Sequence, residues 1–416
     1  MKEEVLRKAF EILKFYNICA LCLGRLFYEK PSNLIRLGFF IKKEFLKSQK
    51  TKFQSKSNCY LCNNAFISFK RIVPNLLEKL KSYEFESLYT SLKVPKKLIE
   101  REDEIRIKYS IETGESIKPT FNRIFPKYIA KKIGKKFDSQ NYHLLISYDI
   151  QSSQVEIIPQ NLYIYGRYIK NRRGIYQTRS YCYSCYGKGC AECNYTGYDK
   201  VPSVESYILP YFSKAFQAQN AVFHAAGRED GDVLTLDTGR PFIVEVVRPL
   251  KRKVDLKAIE NEINENSKGD VIVKNLIEVK KDAVKKMMVF TKYDEKTYIL
   301  LLEFEKEIDD SLLSKIEKEL TNRVIIQRTP TRVLHRRKDK YRYKMIYEIR
   351  SKKLDSNRAE FLIKCQGGLY IKELAHGDNG RTIPNIAQLA NSNVKIISLD
   401  IVSIAPDLEK RLGIIH

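Results

Sequence analysis

Three short segments in the second half of the chain place acidic, basic and aromatic side chains next to one another. Their sequences are AGREDGDV at 226–233, EKTYILL at 295–301 and GGLYIKEL at 367–374. Such side chains could supply a carboxylate nucleophile, because a cation within about 4–6 Å lowers the pKa of a carboxylate and keeps it ionised. The segments are therefore candidates for a catalytic site built around an acidic residue.

The residues alone also allow a simpler interpretation of these segments. A charged loop between glycines is more often a solvated turn than a site. By default the tyrosines at 298 and 370 would be half-buried strand residues, and the lysine at 372 a surface cation. Spacing does not choose between Glu229, Asp230 and Asp232 as the functional carboxylate.

The cysteines form a second pattern with chemical meaning. Eight of the nine fall into four Cys-x-x-Cys pairs, namely Cys19/Cys22, Cys59/Cys62, Cys182/Cys185 and Cys190/Cys193. Two such pairs can close a tetrahedral four-thiolate zinc site. Disulfide frameworks are typical of small secreted chains, and a redox dithiol would explain one pair better than four. Metal binding is therefore the better interpretation.

The two sets of cysteines differ in spacing. The first four predict a structural zinc site, whereas only four residues separate the pairs of the second set, CYSCYGKGCAEC, which would strain a single tetrahedral site. The spacing therefore does not decide whether the second set binds zinc. Neither set would be catalytic, because four thiolates leave no coordination position for water. Cys365 follows an apolar run and is expected to be a buried core thiol.

The charge of the chain indicates a polyanionic partner. Lys and Arg number 75 against 50 Asp and Glu, a formal net charge of +25. Such an excess favours contacts with nucleic-acid phosphates, although solubility or a lysine-rich proteome could also account for it. The interleaved KDKYRYK at 338–344 suits RNA, whose unpaired bases stack on aromatic rings. No apolar run is long enough to span a bilayer and no signal peptide is recognisable, which predicts a cytoplasmic protein.

The elements that would position these residues alternate between helices and strands. Apolar periodicity predicts a helix over 211–226 that ends at Gly227, and strands over 242–247, 298–304 and 361–365. Residues 394–404 are predicted to form either a late strand pair or one long strand. Strands broken by helices indicate an α+β fold. The segment TGYDKVPS interrupts the periodicity and places a domain boundary near 195–205. The chain has no phosphate-binding loop of the Gly-x-x-x-x-Gly-Lys type and no Gly-x-Gly-x-x-Gly, which disfavours ATP-driven and hydride-transfer chemistry.

Several motifs resemble those of one enzyme family. The segment AGRED resembles the Gly-Arg-x-Asp signature of pseudouridine synthases. The block REDGDVLTLDTGRPFIVEVVRP is similar to that of the archaeal and eukaryotic synthases acting on the TΨC arm of tRNA, as are QRTPTRVLHRRKDKYRYK, GLYIKELAHGDNGRTIPNIAQL and the paired N-terminal cysteine motifs. Where family members carry an apolar residue and a basic residue, this chain has Gly231 and Leu234.

The resemblance implies an architecture. It consists of a zinc-binding N-terminal module at 1–65, a THUMP-like RNA-binding region with the second cysteine cluster at 66–200, and a pseudouridine synthase catalytic domain at 205–416. The catalytic domain would contain a mixed, largely antiparallel sheet, and the N-terminal part would form an α/β accessory domain.

The resemblance also implies roles for single residues. Asp230 corresponds to the catalytic carboxylate. Tyr298 corresponds to the active-site tyrosine that stacks on the target uridine and is a candidate to take the C5 proton, and Tyr370 to a second tyrosine that contacts the substrate. Lys372 occupies the basic position that pairs with the aspartate, and Arg228 is the signature arginine that helps to hold the RNA.

The implied activity is the isomerisation of uridine 54, uridine 55 or both in the TΨC loop. It would need tRNA as partner, structural zinc and no organic cofactor, and we expect a monomer without an obligate protein partner. Two other functions remain open: a non-catalytic tRNA-binding or tRNA-folding protein, and a THUMP-bearing enzyme of another class, such as a methyltransferase or a thiouridine synthetase.

Overall fold

The computed structural model of the chain describes residues 3–28, 33–49 and 58–414. These residues form two compact units, one comprising 1–160 with 248–252 and the other comprising 161–247 with 253–416. Among the described residues, no helix is both long and apolar enough to cross a membrane.

The first unit combines six helices with a small sheet in the part of it that the structure describes. In chain order its elements are α1 (Glu3–Phe15), α2 (Ala20–Phe27), α3 (Leu34–Gln49), α4 (Ala65–Leu80), β1 (Ser87–Lys93), α5 (Lys96–Lys108), α6 (Ile117–Ile133), β2 (Lys136–Phe137), β3 (Leu144–Asp149) and β4 (Gln154–Pro159). The strand order is β2-β1-β3-β4, with β1 parallel to β2 and β3, and β4 antiparallel to β3.

Aromatic side chains form the centre of the first unit. Phe69 of α4, Phe121 and Phe125 of α6, and Tyr148 of β3 are all essentially inaccessible to solvent. Their rings contact one another, with Phe69 and Phe125 centroids 4.5 Å apart. Because each ring buries a large apolar area and edge-to-face pairs add further attraction, this cluster holds the helices on the sheet.

The second unit contains the larger sheet. Its elements are β5 (Leu162–Lys170), α7 (Val204–Ala215), β6 (Ala218–Ala225), β7 (Leu234–Pro249), α8 (Leu256–Asn266), β8 (Val271–Val279), α9 (Asp282–Tyr293), β9 (Glu295–Phe304), α10 (Asp310–Leu320), β10 (Arg323–Arg328), β11 (Tyr341–Lys353), β12 (Arg358–Gln366), α11 (Ile371–His376), β13 (Thr382–Ile383), α12 (Ile386–Ala390), β14 (Val394–Ile404) and α13 (Leu408–Leu412).

Ten strands of the second unit form one sheet in the order β13-β10-β11-β12-β9-β14-β7-β5-β8, with β6 paired to β7. All pairings with a stated direction are antiparallel except the short parallel contact of β14 with β7. In β9 alternate residues are buried, starting from Lys296 and Tyr298, so one face of this central strand is turned to the core. The predicted α+β fold with a mixed, largely antiparallel sheet is confirmed.

The predicted helix over 211–226 is wrong from residue 216 onward. The helix α7 ends at Ala215, Gln217 has a left-handed φ of 46°, and residues 218–225 form β6 beside β7. The spacing of apolar residues within 218–225 does not reveal this pairing, because it carries no information about the partner strand β7. The acidic segment at 226–233 therefore follows a strand instead of a helix.

The two compact units divide the chain elsewhere than at the predicted boundary near 195–205. Strand β5 lies within the larger sheet, antiparallel to both β7 and β8. The predicted region 66–200 is accordingly shared between the units, with 161–200 in the second. The pairing of β5 with strands far away in sequence places residues 161–200 in the second unit. The Pro- and Gly-containing segment TGYDKVPS is a loop within that unit.

Candidate active site

The acidic loop, residues 226–233, joins β6 to β7 in the second unit. Gly227 has a left-handed φ of 82°, and a Cβ there would lie 3.1 Å from Arg240 Nη1 and 3.3 Å from Lys296 Nζ. A side chain at this position would therefore be strained by the backbone and crowded by two cations. The glycine allows the chain to turn sharply and present the following residues above the sheet.

Two cations meet the Asp230 carboxylate. Arg332 Nη1 donates to Asp230 Oδ2 at 3.0 Å, and Lys372 Nζ lies 3.3 Å from the same oxygen. The Arg332 guanidinium is itself held by Glu373, whose Oε1 accepts from Nε at 2.7 Å. Because the Arg332 guanidinium is hydrogen-bonded to both Glu373 and Asp230, it holds the Asp230 carboxylate in one orientation.

Lys372 lies closer to Asp232 than to Asp230. Its Nζ donates to both Asp232 oxygens, at 2.8 and 3.0 Å. Although partial burial acts to raise it, the hydrogen bond from Lys372 holds the pKa of Asp232 below its usual value. Asp232 thus positions the lysine, while Arg332 makes the shorter contact with Asp230.

A cavity of about 140 Å³ opens beside Asp230. Its wall includes all five residues that the resemblance assigned to the site: Arg228, Asp230, Tyr298, Tyr370 and Lys372. Tyr298 is buried in β9, and the exposed Arg228 lies at the cavity wall. Tyr370 is half-buried and directly precedes α11, so it is not a strand residue. Further lining residues are Glu229, Val233, Arg332, Val333, Arg336, Arg337, Leu369, Ile371, Leu399 and Ile401.

Glu229 has surroundings opposite to those of its neighbour Asp230. Its carboxylate is buried, with Oε2 2.6 Å from Arg240 Nε and Oε1 accepting from Tyr168 Oη at 2.7 Å. Gln177 Nε2 donates to Glu229, to Tyr168 and to the Gly227 carbonyl. Because its hydrogen-bonding capacity is taken up by the protein, Glu229 is a structural anchor of the acidic loop.

Burial shifts the pKa of two further groups near the loop. Loss of solvation, and secondly the Arg240 guanidinium, lowers the pKa of Lys296 to about 8. Loss of solvation, and secondly the nearby Cys365, raises the pKa of Tyr298 above its ordinary value. At neutral pH the Tyr298 hydroxyl therefore keeps its proton.

Lys170 fixes the backbone of the acidic loop from beneath. This fully buried lysine at the end of β5 donates to the carbonyls of Ile175, Asp230 and Gly231 at 2.7, 3.2 and 3.2 Å. A Cβ at Gly231 would lie 3.1 Å from the Tyr176 ring. Gly231 lies at a position where an apolar side chain is usual in the family that the sequence resembles. The structure explains the glycine locally, because Tyr176 fills the space that a side chain would need.

The sequence did not identify Arg332 or Lys170 as site residues. Arg332 lies in QRTPTRVLHRRK, a segment rich in cations that spacing cannot rank, and it is 102 positions from Asp230. Lys170 lies in the aromatic and basic segment before the second cysteine set. The sequence shows only that Lys170 is a basic residue in a predicted basic and aromatic segment. Lys170 donates to backbone carbonyls, and such contacts cannot be predicted from the pattern of side chains.

Each set of four cysteines is brought together, with all sulfur atoms of a set within 4.8 Å of one another. Cys19 and Cys62 Sγ are 3.8 Å apart, as are those of Cys182 and Cys190. With metal–sulfur distances of about 2.3 Å, a tetrahedron of sulfurs has edges of about 3.8 Å. The donor sets therefore fit one metal ion each, and the four-residue loop of the second set does not prevent this.

Backbone amides support both sulfur clusters. Cys19 N donates to Cys59 Sγ at 3.3 Å in the first, and in the second Cys190 N donates to Cys193 Sγ at 3.2 Å. Hydrogen bonds from N–H groups favour the thiolate form that a metal ion requires. Cys365 lies apart from both clusters and is fully buried in the core.

Comparison with known proteins gives concordant matches. The family model described as "Pus10, C-terminal" matches residues 163–405, and "Pus10 THUMP domain, archaeal" matches residues 72–149. A protein of Thermofilum pendens named tRNA pseudouridine synthase Pus10 is 37% identical over 89% of this chain and 81% of its own length. The protein of that name from Methanocaldococcus jannaschii is 36% identical over 95% of this chain and 93% of its own.

Among solved structures, a chain of a Cbf5–Nop10–Gar1 complex aligns with 47% of this chain and 44% of its own at 15% identity. The TM-score of 0.29 is too low to support an argument.

Proposed function

Because the chain belongs to the Pus10 family of tRNA pseudouridine synthases, we propose that it isomerises uridine 54, uridine 55 or both in the TΨC loop of tRNA. The reaction breaks the N1–C1′ bond, rotates the uracil and forms a C5–C1′ bond, while the C5 proton is lost and N1 gains one. Nothing is oxidised, reduced or hydrolysed, so no organic cofactor is needed. The observation that carries the proposal is the Asp230 carboxylate, held between two cations at a cavity walled by two tyrosines.

The cavity has a size that suits a single base. Its volume of about 140 Å³ lies below the roughly 300–1,000 Å³ of pockets that hold drug-sized ligands, as a site for one base would. The target uridine must leave its stack to enter, which costs a few kcal/mol that aromatic stacking and backbone contacts offset. We assign the stacking to Tyr298 and Tyr370, and phosphate contacts to the exposed Arg228.

Asp230 is the proposed nucleophile toward the uridine. Arg332 and Lys372 both contact its Oδ2 and orient the carboxylate, as nucleophilic catalysis requires. Because burial raises the pKa of Tyr298, its neutral hydroxyl is poorly suited to remove the C5 proton. We therefore favour a stacking role for Tyr298 over a role as general base.

The predicted tRNA partner is supported by the charge and by the THUMP match at 72–149. The proposal has a single chain acting on tRNA in the cytoplasm, without an obligate protein partner.

Incubation of the purified protein with an unmodified tRNA transcript, followed by mapping of pseudouridine, tests this function. We expect product in the TΨC loop without any added cofactor. If the protein binds the transcript tightly and no pseudouridine forms at any position, the proposal is wrong and the non-catalytic tRNA-binding function takes its place. Product outside the TΨC loop would refute the assignment to positions 54 and 55.

We further propose that both cysteine clusters hold structural zinc, because four thiolates in a tetrahedral arrangement match the preference of this ion. Metal analysis of the purified protein should find two zinc ions per chain. Cys59→Ser should lower this number to one, and so should Cys193→Ser, since each removes one ligand of a different cluster. One zinc per wild-type chain would refute the two-site proposal.

A further inference from the structure

The second cysteine cluster lies in residues 181–198, a segment which we name the aromatic knuckle. An isolated bridge between Tyr181 and Tyr198 closes it, and Cys182 N donates to the Gly197 carbonyl at 2.9 Å. The metal-binding cysteines fix the fold of this segment, so it does not need an apolar core of its own. Its aromatic side chains are accordingly not required for packing.

The aromatic side chains of the knuckle face solvent. Tyr181, Tyr183, Tyr186 and Tyr195 are 69, 84, 74 and 78% exposed, and they are the four most exposed tyrosines among the described residues. Rings this exposed within a span of 15 residues gain little from the hydrophobic effect in the free protein. Clustered exposed apolar groups typically mark a binding surface.

Pairs of rings within the knuckle are already arranged. Tyr181 and Tyr198 are stacked, with centroids 5.6 Å apart and planes 17° from parallel, and the Arg179 guanidinium lies 4.2 Å from the Tyr198 centroid. The Tyr183 and Tyr186 centroids are 5.9 Å apart. Rings that already contact one another or a cation lose less conformational entropy when a flat group stacks on them than isolated rings do.

The segment just before the knuckle contacts the acidic loop. Tyr176, which bridges to Ser203, covers Gly231, and Gln177 donates to the Gly227 carbonyl and to Glu229. The knuckle therefore begins four residues after a segment that is bonded to the loop carrying Asp230, all within the second unit.

We propose that the aromatic knuckle stacks on unpaired bases of the RNA substrate and so helps to place the target uridine at Asp230. This inference rests on the proposed function. RNA is favoured over a protein partner because unpaired bases of any sequence stack on exposed rings. The net charge of the whole chain, +25, also favours a polyanion.

The test is the triple variant Tyr183→Ala/Tyr186→Ala/Tyr195→Ala, assayed by kcat and KM for a tRNA transcript. We expect KM to rise about tenfold, the effect of losing about one stacked base, with kcat within about twofold of wild type. Unchanged zinc content shows that the knuckle still folds. The matched variant Tyr183→Phe/Tyr186→Phe/Tyr195→Phe retains the rings and should have the KM of wild type. If the tyrosine hydroxyl groups made the contacts instead, the Phe variant would show the same raised KM as the Ala variant.

A spectroscopic measurement does not depend on turnover. The chain contains no Trp, so Tyr183→Trp introduces a single tryptophan at the proposed stacking surface. We expect tRNA to quench its fluorescence in a saturable way. A wild-type KM in the triple Ala variant together with unquenched tryptophan at saturating tRNA would overturn the inference and assign the rings to a protein partner or to no partner. Absence of pseudouridine with wild-type protein would instead refute the proposed function, while the quenching would still report on the knuckle.

Discussion

Replacing Asp230 with alanine should abolish pseudouridine formation, with kcat reduced by about 10⁴-fold or more, the scale expected when a covalent nucleophile is lost. The affinity for tRNA should stay within about twofold of wild type or increase slightly, since the change removes a negative charge from a surface that faces phosphates. Single-turnover assays with mapped pseudouridine give the first quantity, and a filter-binding titration gives the second. Asp230→Asn, which keeps the shape of the side chain, should be equally inactive.

Asp232→Ala is the matched control for the loss of a carboxylate from the same loop. Asp232 is largely exposed and contacts Lys372, so we expect the substitution to change only the position of the Lys372 side chain. Its kcat should fall by no more than about tenfold, a small part of what the nucleophile contributes. If Asp232→Ala abolished turnover and Asp230→Ala did not, the assignment of the catalytic residue would be wrong.

Glu229→Ala should instead destabilise the second unit, lowering the free energy of unfolding by about 3–5 kcal/mol. The Glu229 and Arg240 side chains are both essentially inaccessible to solvent, and the variant leaves the guanidinium buried without its carboxylate. Tyr168 and Gln177 lose a hydrogen-bond partner as well. Urea denaturation followed by circular dichroism measures the effect.

Two further variants separate the buried charge from other consequences of the Glu229 change. Glu229→Met/Arg240→Met removes both charges and should recover much of the lost stability, because an apolar pair avoids the cost of an unpaired buried charge. Asp232→Ala should change the free energy of unfolding by no more than about 1 kcal/mol, as exposed ion pairs contribute little. Equal destabilisation by Glu229→Ala and Asp232→Ala would contradict the structural role of Glu229.

Predictions from the sequence succeeded where the signal is local. Residues 394–404 were predicted to form a strand pair or one long strand, and β14 is one strand with these bounds, because a segment rich in β-branched residues favours a strand. The prediction of a helix over 211–226 failed because β6 is stabilised by β7, a partner that residues 218–225 do not reveal. The same limit applies to β5, whose place between β7 and β8 brings 161–170 into the second unit.

The cysteine spacing by itself predicted the first four-cysteine cluster and left the second open. The folded chain brings the four sulfurs of each set within 4.8 Å of one another. The resemblance of AGRED singled out Asp230, which spacing alone did not distinguish from Glu229 and Asp232. The tertiary structure separated the three carboxylates physically: Glu229 is buried against Arg240, Asp232 holds Lys372, and Asp230 faces a cavity beside Arg332. Only the folded chain could decide this, because Arg332 and Lys372 lie 102 and 140 positions from the carboxylates that they contact. Arg240 lies nearer in sequence, but only the fold of β7 buries it against Glu229.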